Sequence, residues 1–404
     1  MNLQKPLFKI CSRPKTRRKG HVLVLDAGTT GVKAFVFNAQ GDILAKAYRP
    51  LKKSRPKNGW VEQDPLEILG CCRMVIQEAV QSSAVVVSSI RGMGITNQRE
   101  ATVVWNRQTG KPVYPMIGWE DQRTRTFCTI LRKEHGKAIQ EKTGLEVLPY
   151  FSASKLKWIL ERHDFSTLLF GTLDTWLLWN LCDEHPHLTD ETNAARTLLY
   201  DIGKRKWDAQ LFDWFGIRPD VLPRVMPSRS CFGHLAKDII GKPISILAMC
   251  GDQQASTYAA LRIKGVQKNH VTKVTYGTGV FLVQVIGRKM QIHAPFFTTL
   301  MPAVGKGSVF ALEAKIEGSG ETVTRLLKYP KSLERYFKNL TKKVNHLVVQ
   351  LPVRPRQMVV DGGVARDGIV VEIQERATGI ETCLQTPFDG TALGCALLVW
   401  DAVH

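Results

Sequence analysis

From His21 onward the apolar positions come in short runs broken by glycine turns. "HVLVLD", "VKAFVFN" and "ILAKAY" are separated only by "AGTTG" and "AQGD". Alternation in "KAFVFN", rich in β-branched and aromatic residues, predicts strands, and connections this short require antiparallel neighbours. A Pro- and Lys-rich stretch over 50–59 interrupts the pattern. The spacing then changes. "DPLEILGCCRMVIQEAVQSSA" places apolar residues at helical intervals behind Asp64 as N-cap and Pro65 at the first helical position, so a helix precedes the next strand, "IRGMGIT". This alternation predicts an α/β fold with a mixed sheet.

The middle of the chain, 124–218, reads as mainly helical, with "ASKLKWILERH" and "TLDTWLLWNLC" as amphipathic segments whose Trp158 and Trp176 are expected in the core. At "KVTYGTGVFLVQVI" the opening pattern returns: strand, tight Gly-Thr turn, strand. Two such hairpins, Asp26–Gly31 and Tyr276–Gly279, predict two similar α/β domains, 21–258 and 259–404. A third glycine turn, Asp361-Gly362-Gly363, follows.

Composition bounds the rest. At 404 residues and 44% hydrophobic the chain can bury a large core. Its longest apolar runs fall short of the roughly 18 residues a membrane span needs, so no transmembrane segment is expected. Nine cysteines without a C-x-x-C give neither a zinc knuckle nor a disulfide framework, and a reducing compartment is the default. His185 and His187 lack a third ligand at suitable spacing and read as loop residues.

The net charge is +20, but residues 1–20 hold seven lysines and arginines and no acid, which leaves +13 for the body. This arm is expected to be a disordered, solvated tail; a mitochondrial-type presequence and a nucleic-acid contact are the functional alternatives. A denser patch at Lys328, Lys331, Arg335, Lys338, Lys342 and Lys343 has limited aromatic interleaving and implies no specific nucleic-acid groove. The expected location is cytoplasmic, with mitochondrial association as the alternative, and homo-oligomerisation stays open.

The glycine turns carry the first chemical hint. A glycine beside hydroxyl residues in a tight hairpin lets backbone N–H groups point at a phosphate while side chains add donors, a role that Thr29, Thr30 and Thr278 fit. Neither the P-loop pattern nor the dinucleotide fingerprint occurs. Two matching turns suggest instead a nucleotide held between two similar domains.

The motifs "DAGTTGVKA", "GWVEQDP", "GITNQREATVVWNRQTGKPV", "FGTLDTWLLW", "TDETNAART", "GDQQAS" and "YGTG" occur in the order found in the glycerol kinases of the FGGY carbohydrate kinase family, which the chain resembles from about His21 onward. That resemblance implies two ribonuclease H-like (actin-like) domains with mixed sheets flanked by helices, and substrate and ATP in the cleft between them. The implied activity is ATP-dependent phosphorylation of glycerol. It further implies that Arg99 and Glu100 grip glycerol, since a cation with several donors beside an acceptor-only carboxylate can satisfy both faces of neighbouring hydroxyls. Asp252, at the end of the apolar strand "ISILAM", is assigned as the base that accepts the alcohol proton. Gln253 and Tyr150 are carried over as further polyol contacts, and Trp119 and Phe281 as the wall against its carbons. Asp26, with Asp252, is the expected partner of Mg²⁺, largely through water. Thr29, Thr30, Gly31, Lys33 and Thr278 are expected around the phosphates, and Gly320, Gly362 and Gly363 near the nucleotide.

The resemblance thins after Gly320. There "RLLKYPKSLERYFKNLTKKVNHLVVQLPVRPRQMVVDGG" replaces a longer family stretch, and the family continues past "TALGCALL". A truncated second domain is therefore expected. The alternatives are a catalytically impaired relative that binds a polyol or a partner, and a kinase for another small polyol.

Overall fold

The computed structural model describes residues 9–10, 18–163, 167–263, 271–277, 279–303, 307–316, 320–326, 328–366, 368–386 and 388–403. Two sheets organise it. The strands are β1 (Lys9–Ile10), β2 (His21–Ala27), β3 (Gly31–Asn38), β4 (Ile43–Pro50), β5 (Ile90–Asn97), β6 (Arg229–Leu235), β7 (Ile244–Gly251), β8 (Thr272–Tyr276), β9 (Val280–Gly287), β10 (Phe297–Met301), β11 (Val309–Ile316), β12 (Gln357–Asp361) and β13 (Glu381–Leu384). The first sheet runs β6-β7-β5-β2-β3-β4, the second β1-β13-β12-β8-β9-β11-β10.

The short glycine connections dictate the antiparallel pairs. β2 meets β3 with His21 opposite Asn38 and Ala27 opposite Val32, and β8 meets β9 with Tyr276 opposite Val280. On the other side of each leading strand the neighbours are parallel: β2 with β5, β5 with β7, β8 with β12, β12 with β13. The two sheets thus share a leading antiparallel hairpin with parallel additions on its other side, as the recurring hairpin predicted; beyond it they differ, β4 completing a meander in the first sheet while β11 lies between β9 and β10 in the second. β2 is covered on both faces, which is why it reads as nearly continuous apolar sequence rather than alternation.

Helix α1 (Pro65–Ser82) starts as expected. The Asp64 carboxylate accepts from the backbone N–H of Leu66 at 2.8 Å, satisfying an otherwise unpaired donor of the first turn. Its Ile68, Cys72, Val75, Ile76 and Ala79 pack on one face of the first sheet against Leu23, Leu25, Val32 and Ala34. The middle of the chain supplies α2 (Arg125–Thr143), α3 (Ser152–Leu160) and α4 (Leu173–Leu181). Trp176 is in the core, its indole N–H bonded to the Pro65 carbonyl. Trp158 packs edge-on against Trp60 and Tyr114.

Further helices include α5 (Asp252–Ala260), α6 (Pro330–Val348), α7 (Ile369–Thr378) and α8 (Gly390–Val403). α6 buries Leu333, Phe337, Leu340, Val344 and Val348 in the core of the second sheet. α5 and α8 lie together between the two sheets. Their Ala255, Tyr258, Ala259, Leu393, Cys395 and Val399 share one core with Val22, Val24, Phe35 and Phe37 of the first sheet and Val283, Met301 and Val359 of the second. Their approach is so close that a Cβ at Gly394 would lie 1.7 Å from the Ala255 carbonyl oxygen, so only glycine fits there. The 258/259 boundary expected from the sequence falls inside α5, and the final helix packs back on the first sheet.

Two points of the basic arm belong to the fold rather than to a solvated tail. Lys9–Ile10 pair in parallel with Cys383 and Leu384 at the edge of the second sheet. The Arg18 guanidinium donates to Asp401 of α8 at 2.7 Å and lies 5.9 Å from the centroid of the Trp400 ring. Cys383 is disulfide-bonded, whereas seven other cysteines are free thiols. No helix among the described residues is long and apolar enough to cross a membrane.

Candidate active site

The glycine turns, the end of β5 and the start of α5 converge on one cleft of about 1130 Å³ between the sheets. Its walls include Asp26, Thr29, Thr30, Gly31 and Lys33 from the first hairpin, and Gly277, Gly279 and Phe281 from the second. Arg99, Glu100, Trp119, Tyr150, Asp252, Gln253, Gly362 and Gly363 also line it. Residues from nearly every segment singled out in the sequence therefore meet in one place. Thr278 lies outside the described residues. Gly320 begins the Gly320–Leu326 helix, and its surroundings are likewise outside them.

The floor of the cleft is an ionic lattice. Beyond β5 the chain turns at Glu100, whose φ of +63° is rare for a side-chain-bearing residue and sends the adjacent Arg99 and Glu100 side chains to different partners. Arg99 donates from Nε to Asp252 at 3.0 Å and from its two terminal nitrogens to both oxygens of Glu313 at 2.6 and 2.8 Å. A longer bond, 3.3 Å, goes to the Gln254 side-chain oxygen. Of the five guanidinium N–H groups one is left for a ligand. Glu100 accepts from Arg196 Nε at 2.5 Å, and Arg196 also reaches Glu313 at 3.2 Å. Arg99, Glu100, Arg196 and Glu313 are no more than 3% exposed. The adjacent pair singled out in the sequence is thus split between two partners that sequence inspection missed: Glu313 on β11 and Arg196 beyond the Glu191–Ala194 helix.

Electrostatics follow from this arrangement. Burial pushes the Asp252 carboxyl up to about 6, with Arg99 opposing and Glu100 adding to the rise. Burial also pushes Glu313 upward, but Arg196 and Arg99 together outweigh it and hold the carboxyl below its ordinary range. Asp252 opens α5, where the aligned peptide dipoles favour a negative charge, and its Oδ1 also accepts from the Gln253 N–H at 2.7 Å. Gln253 is held in turn by the Thr275 hydroxyl at 3.2 Å.

Beside the lattice stands an aromatic wall. Trp119 and Tyr150 meet edge-to-face with ring centroids 5.7 Å apart, and the Trp119 indole N–H donates to the Thr29 hydroxyl at 3.1 Å. Thr29 is therefore tied to the wall as well as to its hairpin. Lys155 is fully buried beneath it and donates to the backbone carbonyls of Glu100 (2.8 Å), Tyr150 (2.9 Å) and Gly118 (3.2 Å). One ammonium thus fixes the three segments that carry Glu100, Tyr150 and Trp119. Its only sequence signal was a lysine on the apolar face of "ASKLKWIL".

The opposite end of the cleft suits a phosphorylated ligand. The Gly28 N–H closes onto the Gly31 carbonyl at 3.1 Å and the Gly277 N–H onto the Gly279 carbonyl at 3.0 Å, and both hairpins line the cleft. Gly362 has φ of +98°, and a Cβ there would lie 2.2 Å from the Tyr276 carbonyl oxygen, which seats the third turn against the second hairpin. Space is open around Gly363. Lys33 lies 3.6 Å from Asp26 and 3.8 Å from Asp389, and Lys46 also reaches Asp389 at 2.9 Å. Burial raises the Asp26 carboxyl and Lys33 pulls it back. Lys273 pairs with Asp361 at 2.7 Å. Among the described residues no three His, Cys, Asp or Glu side chains are grouped to hold an ion unaided. Separate Asp26 and Asp252 carboxylates fit a hard cation that keeps most of its waters and takes few carboxylates.

Residues 21–259 match the N-terminal domain of the FGGY family of carbohydrate kinases. The chain belongs to this family. Over 313 residues, 75% of its length, it is 42% identical to a glycerol kinase from Chromobacterium violaceum and 39% identical to glycerol kinase 2 from Thermotoga maritima. It spans 62% of the length of each of these relatives. The crystal structure of Plasmodium falciparum glycerol kinase with ADP superimposes with a TM-score of 0.85 at 25% identity, covering 96% of this chain and 91% of that one. The two-domain α/β architecture of the family is therefore the architecture of this chain.

Proposed function

We propose that this chain transfers the γ-phosphoryl group of ATP to a terminal hydroxyl of glycerol, giving glycerol 3-phosphate. The observation that carries the reading is the position of Asp252. Its carboxylate stands at the N-terminus of α5 on the cleft floor, bonded to Arg99, between the aromatic wall and the glycine turns.

The roles divide as follows. Asp252 accepts the proton of the attacking hydroxyl as its oxygen bonds to phosphorus and the bridging P–O bond breaks, releasing ADP. Arg99 orients that carboxylate and offers its remaining N–H to a polyol oxygen. Glu100 accepts from a polyol O–H, Gln253 contacts another hydroxyl, and Trp119, Tyr150 and Phe281 cover the carbon side. Thr29, Thr30, Gly31 and Lys33 hold phosphate oxygens, with Gly362 and Gly363 along the nucleotide. Asp26, together with Asp252, would hold Mg²⁺ through its waters; the ion supplies charge neutralisation at the phosphates. Burying the reacting groups between two domains keeps water from the phosphoryl group.

The test is ADP release in a coupled assay, with glycerol set against dihydroxyacetone, ribulose and xylulose. Glycerol should support turnover, and Asp252→Asn should lower kcat by roughly 10²–10⁴ while nucleotide binding persists. Full activity in Asp252→Asn removes the base assignment. Polyol binding without ADP release from any acceptor removes the kinase reading.

A further inference from the structure

Lys273 is buried on β8, a strand that reads "TKVTY". Its alternation puts Val274 and Tyr276 in the core of the second sheet, while Lys273 and Thr275 share the other face, which meets the start of α5. A buried ammonium has to find acceptors or lose its charge. This one pairs with the Asp361 carboxylate at 2.7 Å and donates to the Thr275 hydroxyl oxygen. Burial pulls the ammonium down from its ordinary value and Asp361 pushes it back. Asp361 also accepts from the Ser256 hydroxyl, one turn into α5, and directly precedes Gly362 and Gly363 of the third glycine turn.

The chemistry that matters lies one bond further on. An ammonium only donates, so the Thr275 oxygen receives from Lys273, and the single proton of that hydroxyl goes to the neighbouring acceptor, Oε1 of Gln253 at 3.2 Å. This engages the amide oxygen and leaves the amide N–H groups for the cleft, which Gln253 lines beside Asp252. Without the relay the two ends of the amide are interchangeable, and the side chain would offer an oxygen to a ligand as readily as an N–H. Resting on the reading that Gln253 meets a polyol hydroxyl, we propose that Lys273 is a positioning residue for the acceptor: through Thr275 it fixes Gln253 as a hydrogen-bond donor to one hydroxyl of the polyol. Its partner Asp361 roots that contact at the base of the nucleotide-side turn.

Calorimetry on the full chain without nucleotide tests this, with glycerol, propane-1,2-diol and propane-1,3-diol as probes. Thr275→Val breaks the relay and leaves the Lys273–Asp361 pair in place, so it reads the contact even where Lys273→Met, which strands the Asp361 carboxylate, is destabilised. It should weaken glycerol about fivefold, the scale of one neutral hydrogen bond, and leave one of the two propanediols, the one lacking the hydroxyl that Gln253 meets, at its wild-type affinity. Thr275→Ser should keep most of the glycerol affinity. Lys273→Met should copy the selective loss, and combined with Thr275→Val it should cost no more than either change alone. Gln253→Glu, which in its ionised form accepts from Thr275 but has no N–H to give, should lose the same factor. An equal loss for all three ligands in Thr275→Val, no loss for any, or a Gln253→Glu chain that keeps its glycerol affinity overturns the inference. The two readings fail separately. ADP release with glycerol beside a uniform loss in Thr275→Val sinks the positioning role alone, whereas the selective loss with no ADP release from any acceptor sinks the kinase reading alone.

Discussion

Replacing Glu313 by Gln removes one charge from the middle of a buried lattice and leaves its shape almost unchanged. In the native chain that carboxylate accepts two bonds from Arg99 and one from Arg196, at 2.6, 2.8 and 3.2 Å, with all three side chains no more than 3% exposed. The amide retains one acceptor oxygen but turns an NH₂ toward guanidinium donors, so at least one of these bonds becomes a donor–donor contact. Breaking a buried ion pair by removing one partner costs about 3–5 kcal/mol, because the other charge is left uncompensated. The retained acceptor places Glu313→Gln near the lower end, about 3 kcal/mol, or roughly two decades in the folding equilibrium. Urea unfolding followed by tryptophan fluorescence should show a lower midpoint at unchanged slope. The pH dependence has a definite sign. The folded-state carboxyl is held below its ordinary 4.5, so the wild-type advantage is fully present above that value and is lost as pH falls through the depressed one. A deficit below about 1 kcal/mol at pH 7, the scale of an exposed pair, would refute the idea that this lattice joins the two sheets.

Two further outcomes follow from the same geometry. Because Asp252 must be deprotonated to accept a proton and its carboxyl is raised to about 6, kcat/KM for the polyol should fall about tenfold per pH unit below that value; a profile flat from pH 7 to 5 contradicts the base assignment. Lys155 holds three carbonyls, and burial, opposed by Glu100 and Asp121, pushes its ammonium down to about 7. Above that pH the neutral amine has only two N–H groups for three acceptors, so polyol KM should climb, while Lys155→Met should start with KM raised about tenfold or more and show no such rise.

The sheets were legible because their signals are local. Alternation, glycine connections and the Asp64 cap each act within a few residues, and each recurs in the structure where the pattern places it. The site was legible in part. Arg99, Glu100 and Asp252 stand at strand ends where charges interrupt apolar runs. Glu313 was hidden because it interrupts "FALEAKI" in mid-strand, and its partners are 214 and 117 residues away in sequence. A buried acid in an otherwise apolar strand was the one available sign, since it requires a cation brought from elsewhere. Arg196 was present in a quoted motif but carried no cue to its role, because its carboxylates come from two different sheets. The basic arm misled for the opposite reason. Its composition is that of a solvated tail, but strand addition through Lys9 and Ile10 uses backbone groups that composition does not report.

The pair of helices shared by the two sheets governs how the cleft can move. α5 and α8 contribute to a core drawn from both sheets, and Gly394 locks them together at backbone contact. Any widening that keeps this core dry must rotate one sheet against the other about the helix pair, as a book turns on its spine. Displacement then grows with distance from that axis: the hairpins at the lips sweep farthest, and Asp252, at the first turn of α5, stays close to still. The lips of the cleft could thus part while Asp252 keeps its place.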